Sequence, residues 1–413
     1  MNLNLLTLYD SSIDTDDNNR SIFDALNDAW DPIPHENHQL PINASRLLPP
    51  SSQQLLLTGA KGFIGIHLLS SLTEACHSVT CLIRCRAEEE GLLSLKENAT
   101  LAGLKINWDL VRVVSGDLSM PSIGLSSADE AQLKSNIDTI LHCGADTHHL
   151  HSYARLRETN VSSTRFLLSL CTQIKPKKFC YISSISVANC SSNQKIVPEG
   201  ELLHEPDESN GYLLSKWTSE KLISRYARYF DLDFTILRLG NITGHRHTGY
   251  GPYENNHFWS FTKGMLELRN FPSLKIKVEM LPVDVACNLI SKLLKIHEIG
   301  LRVYNLTNPV SLETSDYFNI LKNCGYSTVE MNPSEWQKQL PNLPEHNSLT
   351  PIKEFYSGNL GAVSPVIKQD KLMQLLQEMH ENIDIDYESM INTYINFQEK
   401  NGLMRPSLLN KTL

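Results

Sequence analysis

The sequence has no apolar run approaching the roughly 18 residues that a membrane-crossing helix requires. Its first ten residues, Met1-Asn-Leu-Asn-Leu-Leu-Thr-Leu-Tyr-Asp10, lack the basic start of a secretory signal, and the chain soon turns acidic. Positive charge is in short supply: 37 Lys and Arg stand against 46 Asp and Glu, a net charge of −9. Nucleic-acid backbones are held by clustered cations, so nucleic acid is not an expected partner, although one anionic ligand in a local pocket remains compatible. The nine cysteines include no CxxC pair and no Cys/His cluster at zinc spacing. They read as reduced thiols of a cytoplasmic protein. His148-His149-Leu-His151 lacks a carboxylate or Cys partner at ligand spacing, so no metal is expected. His245, His247 and His257 read as lining a polar lobe, and Cys143 as packing, since no base is at hand to activate it. No serine sits in GxSxG, which leaves serine hydrolysis unsupported. Internal repeats and low-complexity tracts are absent.

What the sequence does contain is length and rhythm. At 413 residues the chain exceeds one average domain. Residues 1–50 are rich in Asp, Asn, Ser and Pro, with one short helix expected at Ser21–Trp30. Pro32, Pro34, Pro41, Pro49 and Pro50 interrupt regular structure, so this stretch reads as an N-terminal arm or linker. From residue 51 to 240, short apolar runs alternate with amphipathic stretches. The runs fall at 55–57, 79–83, 111–114, 139–141, 179–182 and 234–237, and helices are expected near 63–75, 86–103, 126–135, 153–173 and 211–230. Near-continuous apolar strands imply a parallel sheet covered on both faces. The expected architecture is α/β, a doubly wound parallel-sheet Rossmann domain of six strands. Residues 241–413 lose the rhythm, with helices expected at 258–269, 284–297, 312–323, 369–380 and 386–400, and a Pro-rich loop at 340–351. They read as a smaller, mostly helical substrate lobe, some of whose segments return to the sheet.

Gly59-Ala-Lys-Gly62-Phe-Ile-Gly65 follows the first strand and opens a helix. Glycine allows a tight turn and a close approach of backbone N–H groups to a pyrophosphate, which the positive end of the helix then favours. The spacing is GxxGxxG, not GxGxxG. The second strand ends in Arg84, 19 positions after Gly65, with no Asp or Glu in the place where an NAD enzyme holds the ribose 2′-hydroxyl. An arginine there accommodates a 2′-phosphate, so the expected cofactor is NADPH. Asp117 follows the third strand, where its carboxylate can accept from the adenine amino group. Gly144 and Ala145 follow the fourth, and their small side chains let a cofactor pass.

Tyr212-Leu-Leu-Ser-Lys216 places a phenol and an ammonium one helical turn apart. The lysine charge favours phenolate and is expected to lower the tyrosine pKa from about 10 toward neutrality, giving a usable general acid. Lys216 can also hold the nicotinamide ribose. Ser183 and Ser184 end the fifth strand, 28 positions before Tyr212 in the case of Ser184, and a hydroxyl there can donate to a reacting carbonyl oxygen. Glycine loop, strand-end serine and YxxxK occur in the order a reductase needs.

These stretches resemble the extended short-chain dehydrogenase/reductases, and more narrowly the thioester reductase domains of non-ribosomal peptide synthetases, carboxylic acid reductases and aminoadipate reductase. The resemblance runs through Leu56–Gly65, Cys81–Arg84, Val114–Ser119, His142–Ala145, Tyr153–Val161, Tyr181–Val187, Tyr212–Trp217 and Leu237–Ile242. It continues through Lys263-Gly264, Leu281–Ala286, Asn305–Asn308, Gly325-Tyr326, Glu335-Trp336 and Gly402–Pro406, covering about residues 53–407. It implies Ser184, Tyr212 and Lys216 as the catalytic set. It implies Thr58, Gly59, Gly62, Phe63, Ile64, Gly65, Arg84, Asp117, Leu118, Gly144, Ala145, Leu239, Asn241 and Ile242, with Tyr212 and Lys216, as cofactor residues. The substrate it implies is an acyl or peptidyl thioester on the phosphopantetheine arm of a carrier protein, reduced to an aldehyde and from there, as a further step, to the alcohol. The chain departs from the family at Ser94, where many relatives have a second basic residue that Arg86 or Lys96 would replace, at Leu239 in place of proline, and near Asn256 and His257. The alternatives are a fatty acyl-CoA or acyl-carrier reductase, a sugar-nucleotide epimerase or ketoreductase, and a non-catalytic NADP-binding sensor or scaffold.

Overall fold

The structure, a computed structural model, describes residues 15–33, 53–254, 256–274, 277–358 and 365–404. Expectations for Pro34, Pro41, Pro49, Pro50, Arg405 and Pro406 fall outside these residues. The centre is a fully parallel seven-stranded sheet. Its strands are β1 (Gln54–Thr58), β2 (Ser78–Ile83), β3 (Val111–Ser115), β4 (Thr139–His142), β5 (Lys178–Ser184), β6 (Asp233–Leu239) and β7 (Gly300–Leu306), in the spatial order 7-6-5-4-1-2-3. The order reverses between β1 and β4, the point at which open α/β sheets bind ligands beyond their strand C-termini.

The strands are apolar throughout because successive residues feed opposite faces. Leu56, Ile140, Phe179, Tyr181 and Ile236 enter one core, while Leu55, Leu57, Leu141, Cys180 and Leu237 enter the other. The first face is covered by α1 (Thr15–Trp30), α5 (Tyr153–Arg157), α6 (Ser163–Cys171) and α7 (Gly211–Phe230). The second receives α2 (Phe63–Glu74), α3 (Glu88–Ala102), α9 (Val283–Leu293) and α12 (Asp370–Glu378). A third, aromatic core containing Trp259, Phe261, Tyr317, Trp336 and Tyr394 unites α8 (His257–Leu268), α10 (Thr314–Asn323), α11 (Pro333–Gln337) and α13 (Tyr387–Lys400); α4 is Ser127–Asn136.

Three sequence expectations change. The sheet has seven strands, not six, because β7 returns from the C-terminal half and pairs with β6 over its whole length. The Pro-rich stretch at 340–351 contains a tight 3-10 turn at Leu340–Asn342 and runs into a second at Thr350–Tyr356. The short N-terminal helix is longer than expected, Thr15–Trp30, and it is docked: Ala25 and Ala29 are fully buried in the first core. No helix among the described residues is long and apolar enough to cross a membrane.

Candidate active site

The glycine loop leaves β1 at Thr58 and lies against the loop after β4. Gly59 has φ +74°, and a Cβ on it would stand 2.7 Å from the Gly144 Cα. A Cβ on Gly65 would strike the Gly59 carbonyl oxygen and stand 2.7 Å from its carbon. Gly62 differs. It is exposed, its φ is an ordinary −73°, and a Cβ there would meet only the Gly59 oxygen at 3.2 Å. The protein's own packing thus explains Gly59 and Gly65, whereas the bare Cα of Gly62 leaves room for an approaching ligand. Gly62 caps α2, whose first turn carries no acid, so the orphan N–H groups and the positive helix end face outward without a resident counter-charge. These features fit a dinucleotide pyrophosphate.

Thr58 and His142 brace the two loops. The Thr58 hydroxyl lies 2.7 Å from His142 Nδ1 and accepts from the Gly144 N–H at 2.9 Å, and His142 Nε2 lies 3.1 Å from the Thr164 hydroxyl. Thr58 is completely buried, so its side chain holds the loop and only its backbone can lie near a ligand. Burial, reinforced by the Lys216 charge, pushes His142 down to about 3, so it is neutral at physiological pH. Phe63 and Ile64 are half-buried at the head of α2, and the Phe63 ring packs edge-on to His67 at 5.1 Å. Leu118 covers Gly144: a Cβ on that glycine would stand 2.5 Å from Leu118 Cδ1.

Arg84 projects from the end of β2 with its side chain 83% exposed, and reaches the Asp117 carboxylate at 3.8 Å. Burial pushes the Asp117 carboxyl up, but the amide and hydroxyl of Ser119 together with Arg84 outweigh it and leave it below the usual range. An open guanidinium held by a single carboxylate keeps donors free for a phosphate. Lys96, one of the expected substitutes at the family's second basic position, lies over the Trp108 ring at 5.6 Å. After β6, Leu239 is buried. The Asn241 backbone N–H donates to Glu279 at 2.8 Å, and Ile242 pairs with Leu281 in a two-residue parallel ladder.

The structure separates the two serines at the end of β5. Ser183 donates to Glu220 at 2.6 Å, and Glu220 in turn holds the fully buried Arg238. Ser184 faces the other way, hydrogen-bonding Tyr212, with its hydroxyl 2.5 Å from that of Ser186. Lys216 donates to the Ile182 carbonyl at 2.8 Å and lies over the Tyr181 ring at 4.6 Å. Ser184, Tyr212 and Lys216 therefore converge beside the β4 end. One expectation fails. Burial raises the Tyr212 phenol above its ordinary value, and the opposing pull of Lys216 and the Ser184 hydrogen bond does not overcome it. Tyr212 is a protonated donor here, which suits delivery of a proton more than its removal.

Two residues were given no place in the site by the sequence reading. Asn160 lies in a π-helical stretch, Glu158–Ser162, between α5 and α6, an irregularity frequent at functional sites. Its amide accepts from the Asp146 N–H at 2.8 Å and donates to the Asp146 carbonyl and to the Ser215 hydroxyl, both at 2.9 Å, tying the β4 loop to α7. Nothing in the polar stretch Glu158-Thr-Asn-Val-Ser162 set it apart in the sequence. His149 packs edge-on against the Tyr212 ring at 4.8 Å. Among the described residues no group of three or more His, Cys, Asp or Glu side chains gathers in metal-binding geometry. His257 lies 3.3 Å from the Tyr356 hydroxyl, and His245 is 3.8 Å from Asp284.

A family model described as male sterility protein matches residues 57–290. A linear gramicidin synthase of Brevibacillus parabrevis is 28% identical over 373 residues, covering 86% of this chain and 7% of the relative. L-2-aminoadipate reductase of Saccharomyces cerevisiae is 28% identical over 397 residues, covering 87% of this chain and 28% of the relative. The chain thus spans less than a third of either relative's length. The terminal R domain from the myxalamid PKS-NRPS biosynthetic pathway superposes with a TM-score of 0.82 at 27% identity, covering 93% of this chain and 99% of that structure.

Proposed function

The chain belongs to the male sterility protein family, among its thioester reductases, and is an oxidoreductase with a nicotinamide-dinucleotide site; from this premise we propose that it reduces an acyl or peptidyl thioester, carried on a phosphopantetheine arm, to an aldehyde with NADPH. The observation that carries the reading is the meeting of Ser184, Tyr212 and Lys216 at the C-terminal end of β5, beside the loop that Gly59 and Gly144 bring together. NADPH, held by the loop Gly59–Gly65 and by Arg84, would supply the hydride that reaches the thioester carbon. Ser184 and Tyr212 then aim two hydroxyl donors at the carbonyl oxygen as negative charge develops on it. Tyr212, protonated in its buried seat, provides the proton that neutralises that oxygen, and the Lys216 charge stabilises the phenolate left behind. Collapse of the resulting hemithioacetal breaks the C–S bond, forms the aldehyde and releases the pantetheine thiol.

Arg84 carries the preference for NADPH over NADH in this reading, because its exposed guanidinium is free to pair with a ribose 2′-phosphate and no acid replaces it at the strand end. The relatives named for peptide and aminoadipate chemistry are long proteins, and a carrier protein is the partner we assign to this chain. The test is a mixture of purified protein, NADPH and an octanoyl- or aminoacyl-loaded carrier protein, followed by cofactor absorbance and aldehyde trapping. Aldehyde formation that falls by about 100-fold or more in Tyr212→Phe supports the reading. Equal turnover of free octanoyl-CoA and the loaded carrier, or full activity in Tyr212→Phe, refutes it.

A further inference from the structure

The family match begins at residue 57, yet helix α1 is packed directly behind the helix that carries Tyr212 and Lys216. The Thr218 hydroxyl of α7 donates to the Ala25 carbonyl at 3.4 Å, and Arg225 donates to the carbonyls of Ala29 and Asp31 at 2.6 and 2.8 Å. The polar centre of this contact is Asp28, only 6% exposed. Its carboxylate accepts from the Tyr153 phenol at 2.7 Å and from Nε and Nη2 of Arg157, both at 2.6 Å. A buried carboxylate held by three donors fixes its partners more rigidly than apolar packing would.

Tyr153 is completely buried and opens α5 at the end of the β4–α5 loop. Gly211, the first residue of α7 and the neighbour of Tyr212, seats on the same spot. A Cβ on Gly211 would stand 2.5 Å from both the Ser152 carbonyl carbon and the Tyr153 nitrogen. The β4–α5 loop also carries His149, whose ring touches the Tyr212 phenol. One contact of Tyr212 and one of its neighbour Gly211 therefore depend on where α5 begins, and that place is anchored from behind by Asp28.

We propose that Asp28 is a positioning residue for the reaction: through Tyr153 it seats the start of α5 against Gly211, and so sets the Tyr212 phenol relative to Ser184. The proposal rests on the assignment of Tyr212 made above. It makes the N-terminal helix part of the working enzyme, not a linker to it. The glycine loop and the Arg84 site lie across the switch point from this contact, so catalysis and cofactor binding respond differently to its loss.

The experiment uses the full chain with NADPH and octanoyl-loaded carrier protein, at a temperature well below each variant's unfolding midpoint. Asp28→Ala is expected to lower kcat about tenfold, since a misplacement approaching 1 Å can cost on the order of 100-fold, while the NADPH Kd measured by fluorescence stays within about twofold. Asp28→Asn keeps an acceptor for Tyr153 and is expected to retain most of kcat. Tyr153→Phe removes the same link, so adding Asp28→Ala to it costs little more. Wild-type kcat in Asp28→Ala, alongside an inactive Tyr212→Phe, overturns the positioning role and leaves the functional reading intact. Additive losses in the double variant overturn the route through Tyr153, and an NADPH Kd that rises in step with the loss of kcat overturns it in favour of general loosening. Should Asp28→Ala not fold, Tyr153→Phe decides alone: unchanged kcat refutes the proposal. An active Tyr212→Phe refutes the reading beneath it.

Discussion

Gly65→Ala and Gly62→Ala look alike in the sequence and should behave oppositely. A Cβ at 65 would stand 2.7 Å from the Gly59 carbonyl carbon and 2.8 Å from the Ala60 Cα, both backbone atoms, with the Gly59 oxygen closer still. Carbon atoms rest about 3.5 Å apart, so the carbon contacts alone require a retreat of roughly 0.8 Å, and the Gly59 oxygen, 2.0 Å away, requires more. Overpacking of this kind costs about 1–3 kcal/mol. The retreat also strains the 2.9 Å hydrogen bond from the Gly62 N–H to the Gly59 carbonyl, which contributes about 1 kcal/mol. A total of about 2–4 kcal/mol, divided between fold and loop, lowers the thermal midpoint and weakens NADPH binding by about 5- to 30-fold if half falls on the loop. At 62 the nearest protein atom is the Gly59 oxygen, 3.2 Å from the added Cβ, so the loop need give by only a few tenths of an ångström. The methyl group instead meets whatever lies against the helix N-terminus. Gly62→Ala is therefore expected to keep its thermal midpoint within about 2 °C, a shift below roughly 0.5 kcal/mol, yet lose NADPH affinity at least tenfold. Fluorescence titration and circular dichroism melting measure both. Wild-type NADPH affinity in Gly62→Ala would remove the reason for placing the pyrophosphate on this loop.

Ser184→Ala removes one of two donors to the developing oxyanion and is expected to lower kcat by about 100-fold while NADPH affinity holds; single-turnover kinetics check it, and an equal rise in Kd would refute the role. Arg84→Ala should raise the Kd for NADPH at least tenfold and leave that for NADH nearly unchanged, since only the former brings a 2′-phosphate; parallel titrations decide it. His67, lowered by burial to about 4, stays neutral in the fold while an unfolded histidine gains its proton near 6.5. The unfolded state then binds more protons between those values, so stability is full above pH 6.5 and falls as pH drops toward 4, by about 2 kcal/mol at pH 5. His67→Phe should shrink the difference in urea stability between pH 7 and pH 5 by that amount, and an unchanged difference would refute the neutral assignment.

Six of the seven central strands, and the helices that cross between them, were readable because each depends on local pattern: apolar runs feeding two cores and helices beginning near glycine or a cap. The glycine loop and YxxxK were readable for the same reason, since their geometry is set within one turn of chain. Strand β7 was not, because Gly300–Leu306 becomes a strand by pairing with β6, some 67 positions earlier. The choice of Ser184 over Ser183 came only from the family resemblance. Alternation across the pleat decides it, sending one hydroxyl to Glu220 and the other to Tyr212. The protonation of Tyr212 was misjudged because spacing reveals the lysine one turn away but not how much water burial removes.

By itself, then, the sequence determined the class of fold, the glycine turn after β1 and the one-turn spacing of Tyr212 and Lys216, all of which are written in residues close along the chain. Tertiary structure alone decided how the two serines at the end of β5 are turned, that the tyrosine holds its proton, and that a helix expected in an N-terminal arm is anchored by Asp28 behind the site. Those decisions rest on burial and on contacts between residues distant along the chain, 37 positions for Ser183 and Glu220 and 125 for Asp28 and Tyr153.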